Sequence, residues 1–282
     1  MKAYKGFDRN MRCRGFQFDE GKTYEEDQAE LCKAGFHACT NPLDVLWYYS
    51  PVDGSEYHEV ELEDVSEDRN SDDSKVCGKR IRIGAKLGIE ELVNAFVSMC
   101  TGKTTGVKDA QGALIDNGKN FAQIASSGEG ACIGSSSEWA CIGSSGHKTR
   151  IGSSGYRAYI ASSGKWACIA ASGYKARIAA SGYEVCIATS GNKAQIAASG
   201  DKACIATSGN KAQIETRSTN CVMMCAGQNG CAKGKIGSWI VLTEWVNGEP
   251  NVVSKRIDGT LVKADTWYVL RDGQMQEVAT NE

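Results

Sequence analysis

The chain has 282 residues, of which 41% are hydrophobic and 23% are charged, as in an ordinary soluble globular protein of one to three domains. No apolar run reaches the about 18 residues that a membrane-spanning helix needs, and the first residues lack the apolar core of a signal peptide. We therefore expect a cytoplasmic protein whose 13 cysteines are mainly thiols rather than disulfides. The formal net charge of −2 hides an acidic segment at 1–100 (13 Lys and Arg against 20 Asp and Glu) and a mildly basic segment at 123–214 (nine against four).

Residues 1–107 are predicted to form a small α+β domain. Short segments such as KAYKGF at 2–7, HEVELEDV at 58–65 and KRIRIG at 79–84 indicate strands. Asn41 followed by Pro42 is typical of a helix start, because Asn caps free N–H groups and Pro suits the first helical position. An amphipathic segment at 88–100 indicates a second helix that leads into the next domain.

The middle of the chain repeats every nine residues. Isoleucine recurs at positions 115, 124, 133, 142, 151, 160, 169, 178, 187, 196, 205 and 214, and Met223 and Ala232 extend the series. Small residues lie two positions before and two positions after these isoleucines, so that small–Ile–small forms the inward stripe of a short strand. The Ser-Gly that follows predicts a turn in which Gly is free to take a positive φ.

Two nonapeptides are predicted to make one coil, because the block IATSGNKAQI at 187–196 recurs eighteen residues later. The residues just before each isoleucine then point outward in two columns, one on each face: Cys132, Arg150, Cys168, Cys186 and Cys204 on the first, and Gln123, Cys141, Tyr159, Arg177, Gln195 and Gln213 on the second. The period excludes a helix. We predict a mainly β protein, with a two-sided β-solenoid of seven coils at 108–235 and a length of about 30 Å.

The last segment, 236–282, is predicted to cap the solenoid. Apolar and polar residues alternate in it, and NGE, DGT and RDGQ interrupt the alternation, as is typical of a small antiparallel sheet. Solenoids need such caps, because an uncovered end presents unpaired strand edges.

Metal and cofactor sites are not expected. Calcium-binding nonapeptide rolls carry an Asp two positions before the apolar residue, and that position is mostly Ala in this chain. Cys221, Cys225 and Cys231 have no histidine nearby and would make a poor zinc site. The mixed outward columns do not suit ice binding, and GKTTG at 102–106 lacks the spacing of a phosphate loop.

The best candidate site lies at the corners of the solenoid, in the two residues that follow each corner Gly or its substitute. Read every eighteen residues, one edge is mixed: Glu129-Gly130, His147-Lys148, Lys165-Trp166, Tyr183-Glu184 and Asp201-Lys202. The other, called the basic edge, reads Glu138-Trp139, Tyr156-Arg157, Tyr174-Lys175, Asn192-Lys193 and Asn210-Lys211. Arg157, Lys175, Lys193 and Lys211 then stack at steps of about 4.8 Å, with Tyr156 and Tyr174 beside them. Stacked cations attract anions and the aromatic rings can stack on bases, although a charged edge can also serve only to keep the surface solvated.

Several motifs resemble an uncharacterised domain family of tailed phages, prophages and gut bacteria. They are YKGF at 4–7, CRGFQF at 13–18, GKTYE at 21–25 and GFHACTNPLDVLWYY at 35–49. Members of that family often continue into Ala-, Gly- and Ser-rich nonapeptide repeats and close with a segment similar to GSWIVLTEW…ADTWYVLRDGQ at 237–274. The resemblance covers the whole chain and implies a phage origin, but it brings no catalytic residues.

These observations favour a non-enzymatic phage or prophage interaction protein, located in the host cytoplasm. We expect it to bind a host protein or a nucleotide-like anionic ligand, and the phage association suggests a counter-defence role. A homo-oligomer and a structural phage component stay open. The competing hypothesis is an enzyme in the N-terminal domain, because His37 lies near Cys32 and Cys39 and its segment is similar to parts of ADP-ribosyltransferase-like folds.

Overall fold

A computed structural model describes residues 1–49, 54–68, 74–103, 113–116 and 121–278. The chain divides into two compact units, Met1–Met99 and Cys100–Glu282. The predicted boundary between 107 and 108 lies outside the described residues.

The N-terminal unit is built on a five-stranded sheet with the order β4-β7-β5-β1-β6, and all of these neighbours pair antiparallel. Its elements are β1 (Lys2–Phe7), β2 (Arg12–Cys13), β3 (Phe16–Gln17), β4 (Thr23–Glu25), β5 (Phe36–Cys39), a 3₁₀ turn (Pro42–Asp44), α1 (Val45–Tyr48), β6 (Glu56–Val65), β7 (Lys75–Leu87) and α2 (Ile89–Lys103). One face of the sheet is apolar, with Phe7, Val60, Leu62, Ile81 and Ile83 fully buried. Packing of this face supplies the core of the unit.

The predicted helix start at Asn41 is confirmed. The Asn41 side chain accepts a hydrogen bond of 3.0 Å from the N–H of Leu43, and Pro42 opens the turn. The first helical turn is 3₁₀ and passes directly into α1. Capping and the fixed φ of Pro therefore define this helix as the sequence predicts.

The repeats form a two-sided β-solenoid of about seven coils, as predicted. One side, called the cysteine sheet, contains β8 (Ala113–Asp116), β10 (Cys132–Ser135), β12 (Arg150–Ser153), β14 (Cys168–Ala171), β16 (Cys186–Thr189), β18 (Cys204–Thr207) and β20 (Val222–Cys225). The other, called the glutamine sheet, contains β9 (Gln123–Ser126), β11 (Cys141–Ser144), β13 (Tyr159–Ser162), β15 (Arg177–Ala180), β17 (Gln195–Ala198), β19 (Gln213–Thr216) and β21 (Cys231–Lys233). All neighbours in these two series pair parallel.

The eighteen-residue coil is confirmed by the pairing. Ile151 pairs with Ile169, Ile169 with Ile187, and Ile187 with Ile205. These isoleucines are buried between the two sheets together with the small residues that flank them, as Ala167 and Ala171 flank Ile169. The thin interior is therefore filled by one branched side chain per strand and by small neighbours.

The first coil departs from this period. Ile133 pairs with Leu114, so the step to the preceding coil is nineteen residues, and the prediction that Ile115 starts the stacked isoleucine series is wrong. At the other end Met223 pairs with Ile240, a step of seventeen residues. One inserted or deleted residue in a corner shifts the strand register, and the nine-residue count cannot detect it.

The C-terminal segment does not form a separate small sheet. It forms two hairpins, β22 (Trp239–Val246) with β23 (Glu249–Arg256) and β24 (Tyr268–Arg271) with β25 (Gln274–Glu277). The first extends the cysteine sheet through β20, and the second extends the glutamine sheet through β21. Asn247 and Gly248 (φ 52° and 86°) and Asp272 and Gly273 (φ 52° and 73°) supply the tight turns.

None of the described helices is long and apolar enough to cross a membrane.

The burial of the isoleucine series predicts a sharp contrast within β14. Ile169→Asp would place a carboxylate without a partner in the interior and should lower the free energy of unfolding by about 3 kcal/mol or more. Ala170→Asp on the exposed side of the same strand is the control and should cost less than about 1 kcal/mol. Urea denaturation followed by circular dichroism measures both, and equal midpoints for the two variants would contradict the inward assignment.

Candidate anion-binding edge

The basic edge is formed by the corners that lead from the cysteine sheet to the glutamine sheet. Each corner donates to the next coil through its backbone: the N–H of Arg157 to Tyr174 O (2.9 Å), that of Lys175 to Asn192 O (2.9 Å), and that of Lys193 to Asn210 O (2.8 Å). Parallel backbone bonds of this kind fix the stagger between corners. The side chains of the edge therefore stack in register along the solenoid, as the sequence predicts.

The cations of the edge occupy left-handed backbone positions. The φ values of Arg157, Lys175, Lys193 and Lys211 lie between 53° and 57°. This conformation costs a non-glycine residue about 1–2 kcal/mol. Asn229 takes the same position in the last of these corners, and Asn tolerates it better.

The corner glycines do not supply the positive φ that the Ser-Gly pattern predicts. The φ angles of Gly155 and Gly173 are not positive, and the left-handed residue lies two positions after each of them. A Cβ atom on Gly173 would lie 1.8 Å from the carbonyl oxygen of Gly155 in the preceding coil. Glycine is therefore required for close approach of neighbouring coils and not for its φ.

An aromatic stack occupies one end of the basic edge. The rings of Phe121 and Trp139 are stacked with centroids 6.2 Å apart, Trp139 and Tyr156 meet edge to face at 5.7 Å, and Tyr156 and Tyr174 are stacked at 5.8 Å. The sequence places Trp139 on this edge without predicting it as a binding residue, and it does not predict Phe121 as a member of the edge. The eighteen-residue column that contains Lys211 and Arg157 passes through both of them and carries the signal that could have identified them.

The cations lie against these rings. The guanidinium carbon of Arg157 is 4.7 Å from the ring centroid of Trp139 and 5.2 Å from that of Tyr156. The ammonium groups of Lys175 and Lys193 are 5.4 and 5.9 Å from the ring of Tyr174. Each such contact contributes about 0.5–1 kcal/mol at an exposed site, and together they restrict the positions of the cations.

Within the described part of the chain, Lys175, Lys193 and Lys211 have no carboxylate within ion-pair distance. Beyond Tyr174 their neighbours are amides: the Asn192 side chain accepts from the N–H of Asn210, and the Asn210 side chain accepts from the N–H of Gln228, each at 2.8 Å. Cations that repel one another and lack counter-charges leave a positive potential along the edge.

The mixed edge shows a different arrangement, since its two left-handed lysines pair with carboxylates of the same edge. Lys148 contacts Glu129 at 3.0 Å, and Lys202 contacts Glu184 at 3.4 Å and donates to the Tyr183 hydroxyl at 2.6 Å. The hydrogen bond of Lys202 with Tyr183 is the first cause of the raised pKa of Lys202, and a separate hydrogen bond of Glu184 with Tyr183 is the first cause of the lowered pKa of Glu184. This edge therefore presents little unbalanced charge to a ligand.

The outward columns differ in a way that the sequence does not predict. On the cysteine sheet Cys168, Cys186 and Cys204 are exposed free thiols beside a column of Gly and Ala. On the glutamine sheet Cys141 and Tyr159 are buried, and the later side chains of the column are half-buried. The cysteine sheet thus offers a broad apolar surface to solvent, in a shallow groove of about 760 Å³.

The second candidate, His37 in β5, has its Nε2 atom occupied by the backbone N–H of Cys32 at 2.8 Å. Nε2 is therefore the acceptor of a neutral imidazole. Burial is the main cause that lowers the pKa of His37, and the charges of Lys5 and Arg14 add to it. The nitrogen that would accept a thiol proton from Cys32 or Cys39 is already bonded to the backbone.

Comparison with known proteins places only the N-terminal unit. Residues 1–95 match the family model of a domain of unknown function (DUF7666). No curated protein and no solved structure matches the chain. The match contains β1 to β7 and His37, and the basic edge lies outside it.

The left-handed corners predict how substitutions at Lys193 change stability. Lys193→Asn should leave the free energy of unfolding unchanged or raise it by up to about 1 kcal/mol, because Asn relieves the cost of a positive φ. Lys193→Val should lower it by about 1–2 kcal/mol, because a β-branched residue fits this conformation poorly. Both are measured by urea denaturation, and a Val variant as stable as the Asn variant would contradict the left-handed assignment.

Proposed function

We propose that the protein is a non-enzymatic interaction protein whose solenoid binds an anionic, nucleotide-like ligand along the basic edge. The observation that supports this most strongly is the contrast between the two edges. Both edges share the same coil spacing, and both place cations at left-handed positions. On the mixed edge every described lysine except Lys165 pairs with a carboxylate. On the basic edge Lys175, Lys193 and Lys211 have no such partner among the described residues.

The arrangement suits a ligand with several negative charges in a row. The backbone of the corners is fixed by hydrogen bonds between coils, so the cations do not have to be brought together when a ligand binds. The rings of Tyr156 and Tyr174 have exposed surface on which a base can stack. Phosphates along the cations and a base at the aromatic end would use both parts of the edge.

The biological setting of this proposal rests on the resemblance to phage and prophage proteins. A phage protein of this kind would act in the host cytoplasm. It would be a counter-defence factor if the ligand or host protein that it binds belongs to a defence pathway. A host protein with an acidic segment is the alternative partner for the same edge, since its carboxylates would also meet the unpaired lysines.

The proposal predicts a specific dependence on salt. Binding of a labelled single-stranded oligonucleotide to the full chain, followed by fluorescence anisotropy, should weaken as salt rises, with a slope of about 0.7 per phosphate contact on logarithmic axes. Replacing Lys175, Lys193 and Lys211 with Gln should weaken binding and lower that slope by about 2, because three cations no longer release counterions. The melting temperature should change little, since exposed charges contribute little to stability.

The matched control replaces Lys148, Lys165 and Lys202 of the mixed edge with Gln. It changes the net charge by the same amount and should leave the slope near that of the parent. Equal weakening by both variants would mean that only net charge attracts the probe. The parent protein could instead fail to bind the oligonucleotide but capture a host protein. If only the basic-edge variant loses that capture, the host-protein alternative is correct for this edge.

A further inference from the structure

Lys5 occupies a core position of the N-terminal unit. It lies on β1, next to the middle of the sheet, and shares a face with Ala3 and Phe7, which are fully buried. Lys5 itself is only 6% exposed. A buried ammonium is costly unless a counter-charge accompanies it, so a lysine at this position calls for an explanation.

The groups that contact the Lys5 amine are a carbonyl oxygen, a thiol and two aromatic rings. Its Nζ atom donates to the carbonyl oxygen of His37 at 2.7 Å and lies 3.5 Å from the sulfur of Cys13. The ring centroids of Phe7 and Phe18 are 5.6 and 5.5 Å away. Among the described residues no carboxylate forms an ion pair with Lys5. Burial is the main cause that lowers the pKa of this amine, which favours its neutral, nucleophilic form.

A cavity of about 470 Å³ opens beside this amine. It is large enough for a small organic molecule. Its walls combine apolar groups with the charged side chains of Arg14, Lys33 and Glu26. Lys33 pairs with Glu30, whereas Arg14 has no ion pair among the described residues, so its guanidinium is available to a carboxylate of the ligand.

We propose that this cavity captures a small carbonyl compound that carries a carboxylate, such as a 2-oxo acid, as an imine on Nζ of Lys5. The amine, the cavity and the unpaired guanidinium of Arg14 each contribute to this assignment. No turnover is required, so the site adds a ligand to the N-terminal unit and is independent of the basic edge.

The chemistry needs no further reactant. The lone pair of Nζ forms a bond to the carbonyl carbon, and the π electrons of the carbonyl move to its oxygen. Two protons of the amine end on that oxygen, which leaves as water, while a C=N bond replaces the C=O bond. The Cys13 thiol, near Nζ, is placed to pass these protons. Tyr49, whose pKa is raised by burial and by its hydrogen bond with Cys13, remains protonated beside it.

The test uses the full chain, pyruvate as the probe and sodium borohydride to reduce the imine to a stable amine. Peptide mass spectrometry then locates the adduct. Lys5 should be labelled severalfold faster than Lys2, because burial lowers the pKa of Lys5 and so raises its neutral fraction, while the hydrogen bond with Glu59 raises the pKa of Lys2. Lys2 is the internal control, since it lies on the same strand, is exposed and pairs with Glu59 at 2.9 Å.

Two variants and a second probe complete the experiment. Lys5→Met should abolish the adduct in this segment, Lys2→Met should leave labelling of Lys5 intact, and Cys13→Ser should slow it. Acetone, which lacks a carboxylate, should label Lys5 more slowly than pyruvate. Labelling of Lys5 in the parent that is no faster than that of Lys2 would overturn the proposal even if Lys5→Met fails to fold, and equal rates for pyruvate and acetone would overturn the preference for an acidic ligand.

Discussion

The solenoid depends on the close approach of backbone to backbone at its corners. The α-carbon of each corner glycine lies so near the carbonyl of the preceding coil that a side chain has no room: a Cβ atom on Gly155 would lie 1.8 Å from the oxygen of Ser137, and one on Gly173 would lie 1.8 Å from that of Gly155. This contact holds successive corners in the same place relative to the strands. The strands then pair at a constant step of eighteen residues, and one isoleucine per strand suffices to fill the interior.

The character of each edge follows from the same constraint. Because the corners cannot shift, the residues that follow each glycine stack directly above one another, and any charge placed there meets the same position in the next coil. On the mixed edge charges of opposite sign follow one another, as Glu184 and Lys202 do, and so attract each other. The basic edge stacks like charges and offsets part of the repulsion with aromatic faces, as Arg157 does between Trp139 and Tyr156. Such an edge has a cost that a bound anion would remove, which is why binding is proposed there.

The sequence predicts much of this architecture, because a contact that recurs in every coil requires the same residue types at the same spacing. The isoleucine series, the eighteen-residue coil and the composition of both edges follow from counting positions. The features that counting positions does not predict are determined by individual contacts. The nineteen-residue first coil pairs Leu114 with Ile133, and turns such as those after Gly155 and Gly173 place the residue two positions after the glycine, and not the glycine itself, in the left-handed region. Both depend on hydrogen bonds between coils that no single repeat reveals.

The N-terminal unit shows the same limit. KAYKGF reads as a strand, and the strand is present, but a lysine within it is expected at the surface. The burial of Lys5 depends on Cys13, Phe18 and the carbonyl of His37, which come from other parts of the chain. Tertiary contacts of that kind carry no local signal in the sequence.

The central claim, that close backbone contact at the corners determines the stacking, is tested most directly by Gly173→Ala against Gly134→Ala. Gly134 lies in a strand of the cysteine sheet, where a Cβ atom would meet nothing within 4 Å. Urea denaturation should show that Gly173→Ala lowers the free energy of unfolding by about 2 kcal/mol or more, because the backbone of two coils must move apart. Gly134→Ala should leave it unchanged or raise it slightly, since alanine restricts the unfolded chain. Equal stability of the two variants would contradict the account.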